Sequence, residues 1–306
     1  MIAPPRVDVH HFTAFGGARC SIHAVDATPD ELSGCVAEVY AFEQRLTRFR
    51  PDSELSRFNA AAGRRVAASP LLAELLQTAL DAWLLTDGLV NAAVLPALMA
   101  AGYDRSIEQV RRRAVLLGAD APGGGSPSAA GVRPDASVPP ALPDVLQVGN
   151  DWARLAPGCA VDLGGIGKGW LADRLCERLE NTAVNLGGDV AAAGDGPEGD
   201  GWSVGLCDGW AITLRHGGVA TSGTEARRWA NGHHLIDPRT GRPADTDLCA
   251  VSVVAADTAT AEALSKAAVL LGSARAGAWL HERGVRHWTA RTAAAASAAE
   301  LQSELA

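Results

Sequence analysis

The chain has 306 residues, a length that suits one large domain or two closely joined ones. Its composition is that of a globular protein, with 47% hydrophobic, 20% charged and only 5% aromatic residues, so Ala, Val and Leu must supply most of the core. The net charge of −8 argues against general binding to nucleic acid or to an anionic membrane, because both require a cationic surface.

The N-terminal part is predicted to be largely helical. Thr28 to Glu31 combine an N-cap residue, a proline at the first helical position and a glutamate three residues after the cap, which is the pattern of a capping box. Apolar residues then recur with helical spacing up to Leu46. A second helix is predicted to begin at Ser69 and to end before Gly88, which suits a left-handed stop.

Residues 119–143 are rich in Gly, Pro, Ser and Ala and show no apolar period, which predicts a flexible loop or linker. We therefore expect an N-terminal α/β part at 1–118, this linker, and a C-terminal α+β part at 144–306 that carries the main ligand motifs. Together they would form one domain.

After the linker, short β-branched runs alternate with turns and helical patterns. Strands are predicted at 160–163, 183–186, 202–206, 211–214, 235–236 and 250–255, and helices at 168–179, 258–271 and 274–283. Strands grouped with intervening helices indicate an α+β fold rather than a strict βαβ alternation.

The six cysteines form no C-x-x-C pair and no grouping with zinc spacing, so we expect them to be reduced and scattered. The first residues lack the pattern of a signal peptide, and no apolar run reaches about 18 residues. These features predict a cytoplasmic protein without membrane insertion.

The strongest local signal is a predicted strand that runs through glycines into a helix, with the sequence V-D-L-G-G-I-G-K-G-W at 161–170. Glycines let the backbone approach a ligand, and free N–H groups at a helix start favour phosphate. Lys168 adds a cation, and Asp162 can accept from a ribose or a ring. The segment is not a Walker A loop, since Gly169 stands where that loop requires Ser or Thr. A tight turn without a ligand is an equally open interpretation.

Two further glycine-rich segments receive different interpretations. The G-x-G-x-x-G match at 194–199 is rejected, because proline and acids fill it and no helix follows. The segment N-L-G-G-D at 185–189 predicts a turn with positive φ after a strand. Gly187 and Gly188 would leave room for a flat ligand and Asp189 would organise the loop, although a plain turn is the alternative.

Two segments nearer the C-terminus carry titratable residues. His234 and Asp237 stand three residues apart beside a P-R-T-G turn, so they can supply a general base and its orienting partner, and a hairpin with a surface histidine pair is the alternative. A Ser-His-Asp triad with Ser222 lacks the G-x-S-x-G context. Glu262 and Lys266 share one helix face, either as a surface ion pair or, because their flanks are apolar, in a partly buried role.

Together and in this order, these segments resemble the ApbE family of FAD:protein FMN transferases. The resemblance covers about residues 12–288 without the linker. The matching C-terminal segments are D-L-G-G-I-G-K-G, N-L-G-G-D, T-S-G, H-L-I-D-P-R-T-G and E-A-L-S-K, and the N-terminal ones are F-R-P-D-S-E-L-S with Asn59, T-D-G-L-V, Gly102-Tyr103 and a weak Phe15-Gly16.

The resemblance implies an α+β, T-fold-like architecture that holds FAD in a central cleft. It implies a transferase that binds FAD and usually Mg²⁺, moves FMN through a phosphoester bond onto a Thr or Ser of an acceptor flavoprotein, and releases AMP. The acceptor would carry an Asp/Ser-Gly-Ala-Thr/Ser segment. Hydrolysis of FAD to FMN and AMP, or flavin binding without catalysis, are the alternatives.

By position in the family's motifs, each site residue receives an expected role. The base acting on the acceptor hydroxyl would be His234, supported by Asp237, and the metal positions would be the Gly165 carbonyl, Glu262 and Lys266. The residues expected to contact FAD are Phe15, Phe49, Leu89, Val90, Asn91, Asp162, Lys168, Gly187, Gly188, Asp189 and Leu235.

This chain departs from the family pattern at two places. The metal helix of the family carries Asp and, four residues on, Thr, where this chain has Glu262 and Lys266. Protonated lysine is a donor only and cannot coordinate a cation, so either its ammonium takes the place of Mg²⁺ or the ion shifts toward the carboxylate and the diphosphate. The second departure is Asn91, where the family usually has Asp.

Overall fold

We describe a computed structural model of the chain, which covers residues 6–116, 137–230 and 232–292. These residues form two compact units. Unit 1 takes them from Met1–Gln44, Gly164–Gly223 and Thr246–Ala306, and unit 2 takes them from Arg45–Leu163 and Thr224–Asp245. The predicted division at a 119–143 linker stays a prediction, and residues 119–136 of that segment lie outside the described residues.

The helices and strands have the following bounds. The strands are β1 (Val7–Ala14), β2 (Ala18–Val25), β3 (Arg65–Ala67), β4 (Leu146–Val148), β5 (Trp152–Leu155), β6 (Thr182–Leu186), β7 (Asp189–Ala193), β8 (Trp202–Gly205), β9 (Ala211–Leu214), β10 (His216–Gly223), β11 (Arg228–Trp229), β12 (Gly232–His233), β13 (Ile236–Asp237), β14 (Arg242–Pro243), β15 (Leu248–Ala255) and β16 (Arg286–Arg291). The helices are α1 (Pro29–Leu46), α2 (Glu54–Ala60), α3 (Pro70–Leu85), the 3-10 turn η1 (Ala92–Val94), α4 (Leu95–Ala100), α5 (Ile107–Leu116), α6 (Leu142–Val145), α7 (Gly167–Cys176), α8 (Thr258–Leu271) and α9 (Ser273–Glu282).

Unit 1 is built on a seven-stranded antiparallel sheet with the order β1-β2-β6-β7-β10-β15-β16. Helix α7 packs on β6 and β7, helix α8 packs on β10 and β15, and the two helices pack against each other. Ten of the fourteen residues of α8 are buried, which explains why this helix has no polar face. The buried helix carries Glu262 and Lys266 to the interior of unit 1.

Unit 2 combines short helices with small sheets. Strands β3, β5 and β4 form a three-stranded antiparallel sheet in that order, and β11-β12 and β13-β14 form two hairpins. Helix α3 contributes a row of buried leucines and alanines. A second apolar cluster joins α4 and α5 to Trp229 and Ile236. These hairpins position the segment that contains His234 and Asp237.

The predicted helix starts are confirmed at atomic detail. The backbone N–H of Thr28 donates to Glu31 Oε2 at 2.8 Å, and the N–H of Glu31 donates to Thr28 Oγ1 at 3.3 Å, which is the reciprocal pattern of a capping box. Ser69 accepts from the N–H of Leu72 and so caps α3. The predicted helix at 258–271 has the same bounds as α8.

The predicted strand at 160–163 is wrong. Residues 160–163 pair with no strand among the described residues. Instead, the side chain of Asn59 bonds both the N–H and the carbonyl of Val161 at 2.9 Å, and the N–H of Asp162 donates to the carbonyl of Ala92 at 2.9 Å. A side-chain amide thus satisfies the backbone groups that a strand would offer to a sheet.

The six cysteines all lie among the described residues and are reduced thiols, as expected. Within the described ranges, the structure contains no helix with the length and apolar character needed to cross a membrane.

Candidate active site

Four charged side chains meet in unit 1 and form what we call the lysine cluster: Lys168, Asp189, Glu262 and Lys266. Lys168 lies in the first turn of α7, Asp189 begins β7, and the other two are one turn apart on α8. Because each residue stands on a helix or strand of the packed core, the backbone fixes the position of every charge. The sequence had singled out all four, and the structure brings them together.

Glu262 is the centre of the lysine cluster. Its Oε1 accepts from Lys168 Nζ at 3.0 Å and lies 3.6 Å from Lys266 Nζ, and its Oε2 accepts from the backbone N–H of Gly169 at 2.9 Å. Lys168 Nζ also donates to Asp189. Lys266 Nζ donates to the carbonyl of Gly165 at 2.8 Å.

The lysines of the lysine cluster are more accessible than its carboxylates. The side chains of Lys168 and Lys266 are 14% and 16% exposed, whereas those of Asp189 and Glu262 are 3% and 2% exposed. The formal charges of the four groups cancel, which is how a protein can bury several ions together. Any solvent contact of the cluster is therefore made mainly by the lysine side chains.

Burial and charge shift the pKa values in this cluster in opposite directions. Burial and the negative charge of Glu262 raise the pKa of Asp189 to about 6, against the effect of Lys168. Burial alone would raise the pKa of Glu262, but the ammonium groups of Lys168 and Lys266 outweigh it and hold that pKa below its usual range. Burial lowers the pKa of Lys266, an effect that Glu262 partly offsets.

The expected metal positions do not fit Mg²⁺. This ion requires nearly octahedral coordination by about six oxygen ligands. Lys266 brings an ammonium that only donates, and it already holds the carbonyl of Gly165, while both oxygens of Glu262 accept hydrogen bonds. Among the described residues, no group of three or more His, Cys, Asp or Glu side chains is arranged around a metal position.

A carboxylate outside the cluster fixes the start of α8. Asp173 on α7 accepts from the N–H of Thr258 at 2.9 and 3.0 Å and from that of Ala259 at 3.0 Å. The two helices also touch closely, since a Cβ on Gly169 would lie 2.7 Å from the carbonyl oxygen of Thr258. A side chain at this position would collide with the backbone of α8, so glycine allows the close packing of the two helices.

Gly187 and Gly188 form the two-residue turn between β6 and β7. Their φ values are +72° and +102°, as a hairpin turn with two left-handed residues requires, and the N–H of Gly188 donates to Asn185 Oδ1 at 2.9 Å. The predicted positive-φ turn is confirmed, and it places Asp189 at the start of β7 beside Lys168. Whether the glycines contact FAD stays a prediction.

Phe15 lies in the turn between β1 and β2 with a φ of +54°. Its ring meets Phe42 edge to face, with centroids 6.4 Å apart, and Phe42 in turn stacks on Trp170 at 6.0 Å. Phe15 thus belongs to an aromatic row in unit 1 that includes the residue after Gly169.

In unit 2, Asp162 pairs with a residue that the motifs did not single out. Arg48 Nε lies 2.8 Å from Asp162 Oδ2, and Arg48 Nη2 donates to the carbonyl of Tyr103 at 2.7 Å. The guanidinium lies 4.2 Å from the ring centre of Phe49 and 4.6 Å from that of Tyr103. Phe49 itself is 43% exposed, so Arg48 supports an aromatic ring that faces solvent.

The predicted flavin-lining segment Leu89–Asn91 is buried in unit 2. The side chain of Asn91 accepts from the N–H of Ala93, which caps η1, and donates from Nδ2 to the carbonyl of Pro140 at 2.9 Å. Aspartate could make the first bond but, when ionised, not the second. The donor role of the amide therefore favours asparagine over aspartate at position 91.

The segment around His234 forms part of the β11–β14 hairpins. His233 is buried and its Nε2 lies 3.0 Å from the carbonyl of Ala244, whereas His234 is only half-buried. Asp237 accepts from the N–H, Nε and Nη2 of Arg239 at 2.9, 2.8 and 2.7 Å, so it fixes the turn that follows. Leu235 is buried. The roles of His234 and Asp237 in catalysis stay predictions.

Sequence reasoning did not identify two residues that shape these sites, Arg48 and Asp173. It also did not identify the backbone N–H of Gly169 as a donor to Glu262. Arg48 lies in a turn after α1, and its partners are distant in sequence, so no local pattern could have identified it. Asp173 stands five residues after Lys168 on a helix whose partner was unknown. Both act through contacts that only the folded chain reveals.

Comparison with known proteins identifies the family to which the chain is similar. Residues 17–288 match the sequence profile of the ApbE family. The FAD:protein FMN transferase of Klebsiella pneumoniae (strain 342) is 30% identical to this chain over 240 residues, which covers 71% of this chain and 67% of the relative. The FAD:protein FMN transferase of Treponema pallidum (strain Nichols) is 29% identical over 302 residues, covering 87% and 79%.

Solved structures agree on the fold. The apo form of the flavinyl transferase ApbE from Pseudomonas stutzeri matches with a TM-score of 0.77 at 22% sequence identity, covering 95% of each chain. The flavin transferase ApbE from Vibrio cholerae matches with a TM-score of 0.70 at 21% identity, covering 93% and 94%. The predicted α+β architecture is confirmed, and the chain belongs to the ApbE family.

Proposed function

We propose that this chain is an FAD:protein FMN transferase. It moves FMN from FAD onto a Thr or Ser hydroxyl of an acceptor flavoprotein through a phosphoester bond and releases AMP. The observation that carries the proposal is the match to FAD:protein FMN transferases over two thirds or more of their own length. The lysine cluster supports it, because two partly accessible lysines held in fixed positions suit an anionic substrate.

The reaction exchanges one phosphorus–oxygen bond for another. The acceptor hydroxyl oxygen bonds to the phosphorus of the FMN half, and the bond from that phosphorus to the bridging oxygen breaks. The electron pair of the broken bond leaves with AMP, and the hydroxyl proton passes to a base. We assign the base to His234, whose half-buried position in unit 2 leaves it accessible to a substrate.

The other residues bind and position. Lys168 and Lys266 donate to phosphate oxygens, and Phe15, Phe49 and Leu235 contact the ring systems of FAD. The acceptor is a flavoprotein with an Asp/Ser-Gly-Ala-Thr/Ser segment. Mg²⁺ has no place in this proposal, because Gly165, Glu262 and Lys266 do not fit the ion.

The experiment uses the full chain, FAD and an acceptor domain with an Asp-Gly-Ala-Thr segment, and a Thr→Val acceptor as the matched control. Mass spectrometry should find the acceptor heavier by one FMN, and chromatography should find an equal amount of AMP. AMP and free FMN with both acceptors would indicate an FAD pyrophosphatase instead. Flavin binding without AMP release would indicate a non-catalytic flavin-binding protein.

The role of His234 has its own test. We expect His234→Ala to slow transfer by about 10²- to 10⁴-fold, the usual contribution of a general base, while FAD affinity changes little. The neighbouring His233→Ala is not a suitable control, since His233 is buried and bonded to the carbonyl of Ala244. Exposed His216 at the start of β10 serves that purpose. Equal losses of FAD binding and transfer in His234→Ala would remove the catalytic assignment.

A further inference from the structure

Lysine is almost absent from this chain. Of its 27 lysine and arginine residues, two are lysines, Lys168 and Lys266, and the rest are arginines. Both lysines contact the same oxygen, Glu262 Oε1, at 3.0 and 3.6 Å. An ammonium is a compact point charge, whereas a guanidinium spreads its charge over a planar fork. The lysine cluster is thus the one place where this chain uses compact cations.

The bonding divides the two lysines by role. Lys168 donates to both Asp189 and Glu262, so two carboxylates surround its charge. Lys266 donates to the neutral carbonyl of Gly165 and lies farther from Glu262. The charge of Lys266 is therefore the less neutralised of the two, and its side chain is 16% exposed.

The end of the Lys266 side chain lies close to the backbone of Gly165. A Cβ on Gly165 would lie 3.0 Å from Lys266 Cε and 3.4 Å from Nζ. The ammonium thus lies against the glycine-rich turn before α7, bonded to the same carbonyl that was expected to ligate a metal ion. A second cation at this carbonyl would meet strong repulsion from the ammonium.

We propose that Lys266, held by Gly165 and Glu262, is a cation built into the chain that binds the diphosphate of FAD directly, and that the lysine cluster binds no divalent metal. The inference rests on the proposed function only for the identity of the anion, because the diphosphate is the strongly anionic part of FAD. The buried carboxylates hold the two ammonium groups in place, and the lysine side chains are the accessible part of the cluster.

The first experiment measures metal and FAD binding by the wild-type protein. Manganese EPR, with Mn²⁺ as the probe for a Mg²⁺ site, should detect no stoichiometric binding. Flavin fluorescence should give the same FAD affinity in EDTA and in Mg²⁺. One bound Mn²⁺ per chain, or FAD affinity that depends on Mg²⁺, would overturn the proposal, and neither measurement requires a variant to fold.

The second experiment removes the built-in cation. In EDTA, Lys266→Met should weaken FAD binding by about 10- to 100-fold, the range for losing one charged hydrogen-bond partner. Mg²⁺ should not restore the affinity of this variant. Arg275→Met, which removes an exposed charge on α9 of the same unit, is the matched control and should bind FAD like the wild type. Wild-type affinity in a folded Lys266→Met protein would contradict the proposal.

The outcomes separate this inference from the proposed function. Metal-independent FAD binding without FMN transfer would sustain the cation site and remove the transferase assignment. Transfer that requires Mg²⁺ would sustain the transferase assignment and remove the built-in cation.

Discussion

Two ion-pair groups lie near the residues expected to contact FAD, and they are built differently. In unit 1 the lysine cluster stands on α7, α8 and β7, with its carboxylates buried and its lysine side chains partly exposed. In unit 2 the Arg48–Asp162 pair joins a turn to a segment without regular structure, and the guanidinium packs against two aromatic rings.

The difference lies in what each group can respond to. The lysine cluster contains a carboxyl whose pKa is raised to about 6, so its charge changes within the range of ordinary buffers. The guanidinium of Arg48 instead holds its donors in a planar fork, which bonds the Tyr103 carbonyl and packs on the ring of Phe49. The first group therefore contains a charge that changes with pH, and the second is a rigid support for the ring of Phe49.

The largest change in the free energy of unfolding is expected from Asp173→Ala, which acts on the helix that carries Glu262 and Lys266. Asp173→Ala leaves the N–H groups of Thr258 and Ala259 without their acceptor at the start of α8. We expect the free energy of unfolding to fall by about 3 kcal/mol, the sum of two bonds to a charged group less some compensation by water. Urea denaturation measures this.

Asp173→Asn is the matched control, because its amide oxygen keeps one acceptor. We expect roughly half of the loss seen for Asp173→Ala. FAD affinity should fall in the same order, since α8 carries Glu262 and Lys266. An Ala variant as stable as the wild type would mean that α8 needs no carboxylate at its start.

The lysine cluster also shows how far sequence reasoning reaches. A glycine-rich turn before a helix and a Glu-x-x-x-Lys helix face are local patterns, and they identified Lys168, Glu262 and Lys266. The two lysines contact one carboxylate oxygen because α7 and α8 pack against each other, and no local sequence pattern predicts that packing.

Local patterns misled where a side chain replaced a strand partner. The β-branched and apolar residues at 160–163 fit a strand, but Asn59, about a hundred residues earlier, bonds the backbone there instead. Arg48 could not be identified from the sequence either, because it contacts Asp162 only in the folded chain. Long-range polar contacts are the part of this fold that periodicity cannot predict.

The second-largest effect concerns how the free energy of unfolding depends on pH through the lysine cluster. The raised pKa of Asp189 means that the folded chain holds its proton more tightly than the unfolded chain does, so the stability contributed by neutral Asp189 is lost as pH rises through about 6. Between about pH 4.5 and about pH 7, the wild type should lose about 2 kcal/mol relative to Asp189→Asn.

Urea denaturation of both proteins at several pH values checks this slope. Asp195→Asn, which removes a surface carboxylate paired with Arg215 in the same unit, controls for the loss of one negative charge. A difference between wild type and Asp189→Asn that stays constant over this range would show that Asp189 keeps an ordinary pKa.

The smallest effect is expected from Arg48→Lys, and it tests the other half of the comparison. The variant keeps the positive charge beside Asp162 but loses the Nη2 bond to the Tyr103 carbonyl and the flat contact with the ring of Phe49. We expect a loss of about 1 kcal/mol in the free energy of unfolding, the scale of one lost hydrogen bond from a charged group. Urea denaturation measures it, with the exposed Arg50→Lys as the control. A variant as stable as the wild type would mean that the planar guanidinium gives the ring of Phe49 no support that lysine cannot give, and this half of the comparison would fail.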